Sequence, residues 1–260
     1  MKKLLLLTSA ALVLITAVAS AQPGDVRLRW NNCFGVGTNA QNKNYACDGS
    51  ANGLPFKGVF SFVAPVSMNQ FVGVQGVMDF TAGTNPLPDW WKLGVGDCRD
   101  QNFAYPLAFT GIGNTTCVNP WIGGNTGGGF AYYFQNKGDN PTTPTPWPGY
   151  GRIKFAFARD TEKALIGGTH YVAGVWSLDT FNDIDTGGGV CAGCELPACL
   201  VMNSVELYQT SGAPPQDIFY LNGSANNWIT WQGGAVGGAG CPASTPVQNK
   251  TWGSVKALYR

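Results

Sequence analysis

Asp179, Asn182, Asp183 and Asp185 crowd one glycine-ended segment, SLDTFNDIDTGGG. Closely spaced carboxylate and amide oxygens on a turn can coordinate calcium, although this spacing is not that of an EF-hand loop. The alternative is a polar turn whose Asx side chains bond their own backbone. Eight cysteines form the second group: Cys33, Cys47, Cys98, Cys117, Cys191, Cys194, Cys199 and Cys241. Disulfides are the leading expectation, with Cys33–Cys47 and Cys98–Cys117 as sequence-neighbour pairs. One cysteine of CAGCELPAC would then tie to Cys241. A zinc site would need a second CxxC knuckle that is missing, and a CAGC redox pair would need a helix behind it. The third group is aromatic: Trp90, Trp91, Trp121 and Trp147 sit beside proline and glycine. Exposed rings there would suit stacking on a sugar or anchoring a protein partner, and buried rings would plug the ends of the fold.

Catalytic constellations are sparse. His170 is the only histidine, and its alternation with Val172, Trp176 and Leu178 reads as a buried, satisfied side chain. No GxSxG elbow, HExxH or phosphate loop occurs. A glycosidase needs only two facing acids, for which Asp79, Asp89, Asp97, Asp100, Asp160, Glu162 and Glu206 are available. None has a recognisable catalytic setting. The expectation is a non-catalytic protein, with a carboxylate-pair enzyme as an alternative.

These residues must be carried by strands. Val26–Trp30 alternates cleanly, as do residues 71–80, with Val72, Val74, Met78 and Phe80 on one face, and residues 152–157. Further β-rich runs cover 56–64, 104–110, 129–134, 170–178, 200–208 and 228–231. Period-two patterning between Gly/Asn/Pro turns predicts an all-β, antiparallel two-sheet sandwich of about nine strands. Helix is minimal: one turn over PDWWKL and a short helix over 251–258. Residues 136–150, with four prolines, read as a long loop within one domain spanning 22–260, a domain linker being the alternative.

Lys2 and Lys3, the apolar run 4–18 and Ala19-Ser20-Ala21 read as a secretory signal peptide cut before Gln22. The run is shorter than the roughly 20 residues of a membrane span. A secreted, extracellular chain with no membrane insertion is expected, and that compartment favours disulfides. Without Lys2 and Lys3 the 16 basic residues become 14, against 15 acidic ones. That balance lacks the basic footprint of a nucleic-acid binder. The expected partner is an extracellular glycan or a surface protein.

The segments FVAPVSMNQFVGVQGVMDF, PLPDWWKLGVGDCR, CAGCELPACLVMNSVELYQ and TWGSVKALYR together resemble an uncharacterised group of secreted bacterial proteins. In that group a PxWW stretch, a cysteine cluster and a WGxVKxxYR ending recur, without a known activity. The run RIKFAFARDTEKALIGGTHYVAGVWSLD is similar to cohesin-like and carbohydrate-binding sandwiches, which implies a jelly-roll arrangement. The cysteines depart from the cohesin pattern, and no site residue carries over.

Overall fold

The structure is a computed structural model that describes residues 25–33, 41–50, 56–84, 86–100, 103–104, 117–134, 149–184, 189–210, 218–221 and 227–233. Eleven strands lie among them: β1 (Val26–Trp30), β2 (Asn42–Lys43), β3 (Phe56–Val63), β4 (Met68–Thr81), β5 (Phe103–Ala104), β6 (Thr126–Phe134), β7 (Tyr150–Leu165), β8 (His170–Leu178), β9 (Ala198–Gln209), β10 (Ile218–Leu221) and β11 (Trp228–Trp231). They build the expected two sheets. One has four strands in the order β1-β3-β8-β5. The other has seven, ordered β2-β11-β9-β4-β7-β6, with β10 beside β9. Every strand pair is antiparallel except β2–β11, which is parallel. The PDWWKL turn is a single 3-10 turn at Asp89–Trp91. The 251–258 helix and most of the proline-rich segment lie outside the described residues.

The core forms where the apolar faces of the two sheets meet. Leu28, Phe60, Phe62, Met78, Phe80, Ile153, Phe155 and Trp176 are buried there, and Phe60 stacks on Phe155 across the layers at 4.2 Å. Bulges shift the phase of two strands, because one inserted residue turns every following side chain to the other face. In β4 the register with β7 and β9 shifts between Phe71 and Gly73. Phe71 therefore joins the core and Val72, expected to be inside, is only half-buried. In β8 the pairing with β3 steps from Phe60↔Gly174 to Ser61↔Val172, which leaves Ala173 as the extra residue. His170 and Val172 consequently share the outer face with Ser61, and Trp176 and Leu178 stay on the inner one.

Candidate functional site

One end of the sandwich is closed by the segments that the sequence singled out. Trp231, at the end of β11, is the hub of an aromatic cluster. Trp90 stacks on it at 6.1 Å, Trp91 meets it edge-on at 6.1 Å, and Trp30, Tyr45 and Phe56 complete the ring. Its indole Nε1 donates to the Cys194 carbonyl at 2.6 Å. Trp90 and Trp91 are 0% and 1% exposed. Trp121 is buried too, against Phe71 and Phe157 on the inner face of the larger sheet. The expectation of exposed loop rings is therefore corrected for these three. Their loops fold back over the open ends of the core, where large apolar surfaces gain most from burial. Trp147 lies outside the described residues.

The disulfides also differ from sequence-neighbour pairing. They are Cys33–Cys117, Cys47–Cys194 and Cys98–Cys191, with sequence separations of 84, 147 and 93. Cys33 follows β1 in the smaller sheet, whereas Cys47 follows β2 in the larger one, so the two are carried apart. Cys199 is disulfide-bonded as well, and Cys241 lies outside the described residues. The two cysteines of CAGC bond to different partners and not to each other, so CAGC is a double anchor and not a redox pair. Its glycine is demanded by shape: Gly193 has φ +103°, and an added Cβ would come 2.4 Å from the Pro88 side chain.

Arg99 holds this clasp from inside. Its guanidinium lies 3.5 Å over the Trp90 ring and is 0% exposed. It donates to the carbonyls of Trp90 and Asp179 and, at 3.3 Å, to the Asp179 carboxylate. Burial lowers its pKa to about 10, so it remains a cation at neutral pH. The suspected calcium loop is thus built around a protein cation. Asp179 also accepts from the Phe181 amide. Asp183 accepts from the Tyr45 hydroxyl and the amides of Gly49 and Ile184. Asn182 takes a positive φ of 67° and bonds the Gly189 carbonyl. These are the partners of an internally satisfied turn; Asp185 lies outside the described residues.

His170 is largely buried, as expected, but on the outer face of the smaller sheet. Its Nε2 is 2.8 Å from the Ser61 hydroxyl, which itself donates to the Cys33 carbonyl. Burial, with Arg27 and Arg29 nearby, lowers its pKa to about 4. An unfolded imidazole takes up a proton below about pH 6.5, whereas the folded one refuses it until about pH 4. Stability from this group is therefore complete above pH 6.5 and falls as pH drops toward 4, by about 3 kcal/mol in all. Melting curves from pH 7 to 4 should show a smaller decline for His170→Asn than for the wild type. Equal declines would mean that His170 does not set the acid lability.

The acids considered for catalysis are each engaged locally. Arg152 grips Asp79 through two hydrogen bonds of 2.6 and 2.8 Å. Lys92 pairs with Asp89, and backbone amides serve Asp97 and Asp100. Asn125 bonds Asp160 and holds its carboxyl below the usual range. Glu162 accepts from Gln70 and Thr210, and Glu206 from the Tyr208 hydroxyl.

A feature that the sequence reading did not single out lies at β6. This strand, TGGGFAYYF, is the last of the seven-stranded sheet and carries neither charge nor proline. It pairs with β7 over nine residues without a register shift, and residues 127–131 are exposed. Edge strands are ordinarily blunted by shortness, lysine, proline or a bulge, because their outward backbone groups template pairing with another chain. Among the described residues of this edge none of these devices is present. Tyr132 ties the strand to the clasp, donating to the Trp91 carbonyl at 2.5 Å and stacking on Phe80. Gly128 is required by packing, since a Cβ would meet the Phe157 ring at 2.4 Å; at Gly127 and Gly129 a Cβ would find nothing within 4 Å. Interior strand glycine weakens a sheet and often marks the close approach of another backbone. Beside them on the outer face, Ala156 and Ala158 of β7 pair with Gly129 and Gly127 and extend a low, exposed shelf.

The fold and these features define a class: an all-β, two-sheet sandwich clasped by non-local disulfides, with β6 as a long edge strand among the described residues. No helix among the described residues is long and apolar enough to cross a membrane. No protein-family model matches the chain, and no curated protein matches it.

Proposed function

We propose that the protein is a secreted, non-catalytic module that binds another protein and takes part in surface assembly, with the β6 edge as its contact. The observation that carries this reading is the nine-residue, uncharged edge strand whose residues 127–131 are exposed. Main-chain pairing at such an edge supplies affinity for an extended partner strand. Carbohydrate recognition through Trp90, Trp91 and Trp121 is the weaker reading, because a sugar needs an open ring face and these rings are in the core. A glycan panel probed with residues 22–260, with and without calcium, is expected to be blank. A reproducible hit competed by free sugar would overturn the protein-binding reading in favour of a carbohydrate-binding module.

A further inference from the structure

We infer that the occupant of the β6 edge is β6 of a second copy, paired antiparallel about a two-fold axis through Gly129. This rests on the reading of the edge as a contact surface and names its partner. The strand is self-complementary about that residue. Gly128 comes opposite Phe130, Gly127 opposite Ala131, Thr126 opposite Tyr132, and Gly129 opposite itself. Phe130 thus meets Gly128 and Tyr132 meets Thr126 across the axis, and an aromatic beside a cross-strand glycine covers backbone that glycine leaves bare. Phe130, 39% exposed, has surface left to cover. The other face carries only glycine and alanine at positions 127, 129 and 131, so two copies can approach without a clash. A two-fold contact of this kind uses the same patch twice and closes on itself.

Charge does not oppose the same occupant. β6 offers no charge to select an acidic or a basic peptide. The nearest cations lie on β7, where Lys154 pairs with Ala131, Arg152 with Tyr133 and the buried Arg159 with Thr126. In the paired arrangement the two β7 strands are three strand spacings apart, about 14 Å. That exceeds the Debye length of about 8 Å at physiological salt, so their repulsion is screened. The overlap about Gly129 runs over residues 126–132, a strand pair about 24 Å long, which covers less than the patch of roughly 800 Å² per partner in a standard stable interface. The dimer is consequently weak and concentration-dependent.

Sedimentation of the mature chain across a wide concentration range tests this. The expected result is a reversible monomer–dimer equilibrium. Gly129→Lys, whose side chain enters open space, should weaken the dimer at least tenfold, because like charges would face each other at the axis, while the melting temperature stays put. Gly127→Lys alone should also weaken it, and adding Ala131→Glu should restore it, since positions 127 and 131 face each other only in this register. A wild-type chain that stays monomeric, a dimer indifferent to Gly129→Lys, or failed restoration by Ala131→Glu would overturn the inference. If the wild type is monomeric but its adsorption to protein on the producing cell is lost in Gly129→Lys, the second copy falls and the edge reading stands. A monomer with no Gly129-dependent adsorption removes both.

Discussion

Trp90→Ala and Trp91→Ala will each destabilise the fold by about 3–5 kcal/mol, the usual result of emptying a buried tryptophan site. For a domain of this size that lowers the melting temperature by roughly 6–20 °C. The cause is geometric. Both rings pack on Trp231, so removing either opens a cavity between the hub and its neighbours that the disulfide-tied segments cannot collapse to fill. Trp90 also carries the guanidinium of Arg99 on its face, so its loss strips a buried cation of its platform. Thermal denaturation of the two variants checks this. A variant with unchanged melting would place these rings at the surface and revive them as a sugar platform.

Arg99→Ala will cost about 3–5 kcal/mol, as expected when one partner of a buried charged contact is removed. It leaves the Asp179 carbonyl and carboxylate without their cation and opens the space over Trp90. Arg99→Lys should recover less than half, because an ammonium has neither the flat face for the ring nor the fork that reaches two carbonyls. Chemical denaturation measures both. Calcium or a chelator should leave the wild-type midpoint unmoved, since Arg99 already serves the loop as its cation. A calcium-dependent shift in the wild type would contradict that role.

Much of the architecture was legible in the sequence, and the reason is periodicity. β1, β8 and β11 begin and end where their alternating or β-rich runs do, because each is held against a core that reads side chains two by two. Bulges broke that reading at Val72 and His170, since an inserted residue leaves no compositional mark. β2 and β10 were not recognised: they are two and four residues long, too short for a period of two to show, and β2 takes its pairing from β11, distant in the chain. Disulfide partners were illegible for the same reason, because which cysteines meet depends on which sheet each preceding strand joins. The tryptophans misled through local context. Proline and glycine mark a turn, but a turn folded over the end of a sandwich buries what it carries. Arg99 had one available signal, an arginine directly after a cysteine in a chain only 12% charged. The β6 edge had a clearer one: a strand with three consecutive glycines and no charge, a pattern that packing accounts for at Gly128 alone.

The decisive measurement is adsorption of labelled wild-type and Gly129→Lys chains to the surface of the producing cell, before and after protease treatment of that surface. Recognition of another surface protein through the β6 edge requires wild-type adsorption that protease abolishes and that Gly129→Lys lacks. Equal adsorption of the two chains, or adsorption that survives protease and is competed by free sugar, would contradict it.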